Sequence, residues 1–453
     1  MTASLTEKPA GRWAGLRRRY EPQLTQLRSS DTAKAAGLAG AMIANNVIAL
    51  GSTIVFARLL SDYGSLAALV SYFLILSVVG QAMQVATARE GVLGHLGVGH
   101  GLVATLRQWT RAMLVFTAVL TVVSIVLRDP IAQAVGVKKD PWAAAIGIPA
   151  ACLWLELSIL RGALQGVGDY KGVGFSLVGE QGMRLVTGAL LAGIGLGVLG
   201  AYLGTPISFV LMGGYCAICI FRYARHYDLV HGPALHPPQA ALSLWKHVKM
   251  AWAPIAGLIV MAVLQNIDII AAKHQFTKDM ASSYAATAVA AKVLIWVAIG
   301  AGFYLVPEVS RRRAAGVDPR PVLAKALAII GVCAVPVLLI FAFGSHQLIE
   351  FAFGAKRTGA SSSLLVLGVA FTVLACTYLA IQYLLALKRT WFLVPMGLVA
   401  IAEPILLLHA SRRPEGFAAV VLAIQAVGAV VAFAMALRRD TAPPATVASP
   451  EPA

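Results

Sequence analysis

Apolar segments of about 20 residues follow one another along nearly the whole chain, and this recurrence constrains the fold more than any single motif. As helices, such segments reach across a hydrocarbon core about 30 Å thick. Twelve are read from the sequence: 34–57, 64–87, 108–127, 142–165, 172–195, 198–222, 246–272, 281–306, 320–343, 362–386, 391–409 and 416–437. Only 13% of the 453 residues are charged and 58% are hydrophobic, whereas soluble domains carry roughly 25% charged residues. Too little polar surface is present to cover a globule of this size. In lipid, each backbone polar group must be satisfied within its own segment, and these runs can do that only as helices. The sequence therefore predicts an all-α polytopic membrane protein with about twelve transmembrane helices in two six-helix lobes.

The domain plan follows from where the apolar pattern stops. A basic N-terminal segment (1–33) precedes an N-lobe of spans 1–6 (34–222). A Pro-, Gly- and His-rich linker (223–245) leads to a C-lobe of spans 7–12 (246–437), and a Pro- and Ala-rich tail (438–453) is expected to be disordered. The first 30 residues lack an apolar core followed by a cleavage site, so they read as a basic surface helix and not as a signal peptide.

The net charge of +17 raises the question of nucleic acid, and the placement of the charge answers it. With the N-terminus on the cytoplasmic side, about 25 of the basic residues fall on the inner side, about 10 on the outer side, and Arg184 and Lys292 stay in the membrane. Positive-inside asymmetry accounts for the basic character, nucleic acid is not an expected partner, and both termini are expected to be cytoplasmic. All five cysteines (Cys152, Cys216, Cys219, Cys333, Cys376) fall within predicted spans and read as small apolar groups. His226, His231 and His236 do not share a helix face, and the Gly-rich stretches 91–101 and 166–172 do not follow strands. No metal site, cofactor motif or catalytic constellation is expected, and the chain does not read as an enzyme.

The halves echo each other faintly. "FARLLSDYGSLAA" (56–68) joins spans 1 and 2, and "AAKHQFTKDMASSYAA" (271–286) joins spans 7 and 8, each with a cation, an acid and then small residues. Six spans per half would make these parallel repeats about an axis along the membrane normal.

Charges at depth carry the functional signal. Lys292 lies about eleven residues into its span, near the bilayer midplane at 1.5 Å per residue, and Arg184 lies at similar depth in the other half. Ionisable groups there usually face a bundle interior or a wet cavity and mark a substrate or ion path. The acids at depth are Glu156, Glu180, Asp268 and Glu403. Glu180 is four residues before Arg184, so Arg184 reads either as half of an internal pair or as cavity lining. Asp268 is a candidate partner for Lys292. Glu156 and Glu403 fit either protonated, hydrogen-bonded structural carboxyls or proton-coupling groups. Asn45, Asn46, Gln81, Gln84, Gln265 and Asn266 fit either a wet cavity or bonds between helices. Two cations facing one cleft suit an anion, and a phosphate or pyrophosphate head would offset their burial.

At "RGALQGVGDYKGVGFSLVGEQGMRLVTGALLAGIGLGVLGAYLG" (161–204) the chain resembles the polysaccharide flippases of the multidrug/oligosaccharidyl-lipid/polysaccharide (MOP) superfamily, exporters of the O-antigen, capsule and teichuronic-acid type. Arg161-Gly162, Gln165-Gly166, Ser176, Glu180, Arg184-Leu185 and Gly188 carry the likeness, together with "FARLLSDYG" near span 1. In the second half, Asp268, Tyr284, Ala291-Lys292, Pro307 and Ser310 do so. The resemblance implies a MATE-like pair of six-helix lobes that alternates access in the bacterial plasma membrane. The implied cargo is an undecaprenyl-(pyro)phosphate-linked oligosaccharide for cell-surface polysaccharide synthesis. It assigns substrate binding in a central cavity to Lys292, Arg184 and Arg58, while Glu156, Glu180, Asp268 and Glu403 stand, from their depth, as candidates for coupling or cavity lining. The expected partners are the lipid-linked glycan and membrane lipids, with coupling to a proton or sodium ion and work beside a glycan polymerase machinery left open. The span count is lower than that of the lipid II flippase branch. A cation-coupled multidrug exporter of the same superfamily is the alternative reading.

Overall fold

A computed structural model of the chain describes residues 31–232 and 252–438. Most of the basic N-terminal segment, the linker beyond 232, the first residues of the seventh predicted span and the tail beyond 438 lie outside the described residues.

Among the described residues the chain is all helix. The first half comprises α1 (Asp31–Leu59), α2 (Tyr63–Val92), α3 (His100–Val126), a short α4 (Arg128–Val135), α5 (Pro141–Gly166), α6 (Tyr170–Leu191) and α7 (Gly197–His231). The second half comprises α8 (Trp252–Gln275), α9 (Lys278–Ala291), α10 (Val293–Ala314), α11 (Arg320–Phe353), a 3₁₀ segment (Ala355–Ser363), α12 (Leu364–Ala386), α13 (Leu393–Leu408) and α14 (Pro414–Ala436). Ten helical segments are long and apolar enough to cross a membrane. One of them, Tyr170–His231, is two helices folded against each other, and the shorter Leu393–Leu408 brings the crossings to twelve.

Local chemistry sets the boundaries. The Asp62 carboxylate accepts from Ser65 N at 3.1 Å and caps α2. Asp169 does the same for α6, accepting from Gly172 N at 2.9 Å. Pro141 and Pro414 open α5 and α14 at positions whose amide would have no helical partner. Gly354 ends α11 with φ +90°, a conformation that L side chains rarely adopt.

Two expectations need correcting. Helix α7 runs on to His231, so the first nine residues of the predicted linker (223–245) continue the sixth span as helix. The stretch 344–361, left between the ninth and tenth predicted spans, is the end of α11 followed by the 3₁₀ segment.

In the N-lobe α2 packs on α5 and α6 on α7; in the C-lobe α12 packs on α14 and α10. Large apolar side chains such as Phe343, Phe351 and Val332 stay exposed on the outside of the bundle. Such a surface suits hydrocarbon and not water, and the chain is a multi-pass membrane protein.

Every hydrogen bond between the lobes among the described residues lies at one end of the bundle, the end bearing the α1–α2 turn. There the two echoing segments meet each other. Lys273 donates to Asp62 at 2.8 Å, Lys278 to Ser61 at 3.3 Å, and Gly64 N to Ser282 Oγ at 3.0 Å. Arg58, near the end of α1, donates to the carbonyls of Phe351 (2.5 Å) and Ala352 (3.1 Å) near the end of α11. Arg357, just past α11, returns the exchange to Ala57 (3.0 Å) and Leu60 (2.5 Å) at the end of α1. Each arginine thus meets carbonyls that the opposite helix terminus leaves unsatisfied.

Candidate functional site

Between the lobes lies a cavity of about 270 Å³. Its N-lobe wall comes from α1, α2, α6 and α7; its C-lobe wall comes from α8, the end of α9 and the start of α10. Arg184 and Lys292 both line it.

Arg184 is held from below. Its Nη2 donates to Glu180 Oε1 at 2.7 Å, one helical turn back along α6. The other carboxylate oxygen of Glu180 is 3.0 Å from Nη1 of Arg161 on α5. Arg161 is fully buried and also donates to Ser176 Oγ at 2.8 Å and to the Ser176 carbonyl at 2.7 Å. The guanidinium of Arg184 stands 5.4 Å from the Phe209 ring and 5.9 Å from Phe73, while Arg161 stands 5.5 Å from Trp154. These three rings pack on one another and give both cations a π-face in place of water. Two guanidinium groups share one carboxylate, so the cluster carries a net positive charge, and Arg184 Nε is left without a protein partner.

Lys292 occupies a break in its span, between the last residue of α9 and the first of α10. Its amide is shared between the carbonyls of Ala288 (3.1 Å) and Val289 (3.3 Å), a local tightening of the helix. Nζ lies 3.1 Å from Asp268 Oδ1 and 4.9 Å from the Phe371 ring centre. Asp268 also accepts from the Tyr284 hydroxyl at 3.3 Å. Behind it, Gln425 donates to Glu403 Oε1 at 3.1 Å and to the Leu264 carbonyl at 2.9 Å, and Glu403 Oε2 is buried without a hydrogen-bond partner.

The remaining candidates separate. Arg58 is not part of the cavity wall; its guanidinium is engaged by the α11 carbonyls at the α1–α2 end. Glu156 sits beside Thr110 of α3, away from the cavity lining. Glu180, Asp268 and Glu403 stand behind the wall as partners of the cations or of Gln425. Among the amides, Asn45, Asn46, Gln265 and Asn266 line the cavity, and Gln81 and Gln84 do not. Sequence reading overlooked three participants. Arg161 was assigned to the inner side, and its burial depends on Glu180 of another helix. Arg357 looked like an ordinary loop charge. Gln181 was hidden beside the more conspicuous Glu180.

Two groups of helices thus enclose a cavity, and the hydrogen bonds that join them among the described residues lie at one end of the bundle. No protein-family model matches the sequence, and no curated protein does. Solved structures do match in shape. The inward-facing conformation of a multidrug resistance MATE family transporter of the MOP superfamily gives a TM-score of 0.66 at 14% identity, covering 86% of this chain and 93% of that one. Lipid II flippase MurJ in an inward closed conformation gives 0.65 at 13% identity, covering 88% of this chain and 87% of that one. A eukaryotic MATE transporter gives 0.57 at 15% identity, covering 89% and 95%. The chain has the fold of these transporters and of this flippase.

Proposed function

We propose that this protein is a flippase that moves an undecaprenyl-(pyro)phosphate-linked oligosaccharide across the plasma membrane by alternating access, for cell-surface polysaccharide synthesis. One observation carries the reading. The cavity presents a guanidinium from one lobe and an ammonium from the other, and no carboxylate is among the described lining residues. That wall favours a phosphorylated head, and the lipid tail can remain in the bilayer beside the bundle.

Arg184 offers its guanidinium charge to a phosphate in the cavity it lines, and Arg161 fixes Glu180, which in turn anchors Arg184. Lys292 completes the anion site from the facing wall and must share itself with Asp268. An anion seated between them attracts both lobes and favours closure around the head. The contacts at the α1–α2 end, the outer end in the sequence-based orientation, must then break for release. Arg58 belongs to that closure and not to substrate binding. Asp268 and Glu403 are the acids placed to couple transport to a proton or sodium ion.

The multidrug-exporter alternative draws on the MATE neighbours and on the buried acids of the C-lobe. One experiment separates the two readings. In vesicles, Lys292→Ala should abolish delivery of lipid-linked oligosaccharide while leaving the protein inserted at normal abundance. Normal delivery by that variant rejects the proposed site. Export of a lipophilic cation such as tetraphenylphosphonium by the wild type, with no glycan-lipid movement, would favour the multidrug reading.

A further inference from the structure

Besides its two cations, the cavity wall carries five carboxamides: Asn45, Asn46 and Gln181 from the N-lobe, and Gln265 and Asn266 from the C-lobe. Asn266 spends Nδ2 on the Ala262 carbonyl at 2.9 Å, which leaves its oxygen available. Among the described residues, the other four make no hydrogen bond to protein. That is unusual for amides inside a membrane bundle, where polar side chains normally bond across helices. Each free carboxamide offers N–H donors and a carbonyl acceptor without net charge. They flank the cations in sequence and in space: Gln181 is one helical turn before Arg184, and Gln265 and Asn266 are within one turn of Asp268, the partner of Lys292.

We infer that the carboxamides form a second subsite, which reads the hydroxyl groups of a sugar attached to the phosphate. This rests on the flippase reading and adds the substrate class that the cavity selects. A hydroxyl both donates and accepts, and a carboxamide answers both needs. A phosphate only accepts, so it would leave the amide carbonyls unanswered. A lipophilic cation would call for carboxylates or a denser aromatic lining. Phosphate seated on Arg184 and Lys292 therefore leaves a neutral, hydroxyl-rich neighbour as the group that satisfies the rest of the wall. A bare phospholipid head would strand those carboxamides, and a buried polar group without a partner is costly.

The test compares two probes of equal charge on the full-length protein in nanodiscs: polyprenyl phosphate esterified to methyl, and polyprenyl phosphate esterified to a neutral hexose. The wild type should bind the hexose probe about tenfold more tightly, which corresponds to one or two net hydrogen bonds. Gln265→Leu and, separately, Asn46→Leu should reduce that preference and leave methyl-probe affinity in place, whereas Lys292→Ala should weaken both probes. Hexose 1-phosphate should also displace the labelled hexose probe from the wild type better than inorganic phosphate, a measurement that needs no variant. Equal affinity for the two probes, or a sugar preference that survives in both amide variants, overturns the subsite and leaves the anion site standing. Failure of the wild type to bind either probe overturns the flippase reading and this inference with it.

Discussion

The two lobes bury their charges in different ways. In the N-lobe, Arg161 and Arg184 share Glu180 and rest on a packed set of aromatic rings. Two guanidinium groups that do not deprotonate in proteins thus face one carboxylate, and the positive charge is permanent. In the C-lobe, Lys292 faces Asp268, with Glu403 behind. That cluster is neutral when Glu403 carries a proton and negative when it does not. One wall of the cavity therefore carries a fixed positive charge, and the other has a charge that a proton can alter.

The largest effect that would test this contrast comes from breaking each cluster at its centre. Glu180→Ala strands two buried cations that cannot neutralise themselves, and should cost about 3–5 kcal/mol of stability. Lys292→Ala strands a carboxyl that can take up a proton and keeps the Tyr284 hydroxyl, so it should cost less, about 1–3 kcal/mol. Thermal unfolding in detergent should rank the two variants in that order. The reverse order, or equal losses, would mean that the clusters do not differ as argued.

A smaller effect is expected where the lobes exchange arginines. Arg357 is 5% exposed and reaches the carbonyls of Ala57 and Leu60. Arg58 makes the matching bonds from an exposed position. Loss of a hydrogen bond to a buried charged group removes about 1.5–3 kcal/mol, whereas an exposed charge contributes about 0–1 kcal/mol. Arg357→Ala should therefore open the α1–α2 end more than Arg58→Ala does. Labelling rates of a cysteine placed at Ala67, on the cavity wall, by an impermeant thiol reagent added from that side would show the difference. Identical rates in the two variants would show that the exchange is symmetric in energy as well as in geometry.

The sequence exposed much of this arrangement. Hydropathy alone located the twelve crossings, because each run had to be helical and about the thickness of the bilayer. The Glu180–Arg184 pair was readable because both lie on one helix face. Lys292 stood out as a charge in an otherwise apolar span. Contacts between distant segments were less accessible. Arg161 reads as an inner-side charge until α5 and α6 are packed together. Arg58 was expected in the central cavity, and its exchange with Arg357 becomes visible only when two helix ends meet. The linker boundary was missed because the α7 helix continues beyond the apolar residues that marked the span.

The smallest effect concerns pH at the α1–α2 end, where Asp62 of the N-lobe meets Lys273 of the C-lobe. Burial alone would raise the Asp62 carboxyl, but the hydrogen bond and charge of Lys273, with the Ser65 amide, outweigh it and hold Asp62 below its ordinary value. Asp140, at the start of α5, moves the other way: burial raises it, and the negative charge of Asp62 adds to the shift. A depressed carboxyl contributes stability that is complete above its ordinary value, near pH 4, and is lost as the pH falls through the depressed one. A raised carboxyl opposes the closed form while ionised, and that opposition fades as the pH falls through its raised value. Acidification should therefore first tighten this end slightly, as Asp140 takes up its proton, and loosen it only at lower pH, when Asp62 does. The labelling rate of the same cavity cysteine, read with a pH-independent reagent, should follow the two steps in that order. Asp140→Asn should remove the slight tightening and keep the later loosening. Loosening that begins above the ordinary carboxylate range would mean that Lys273 does not hold Asp62 in the closed form.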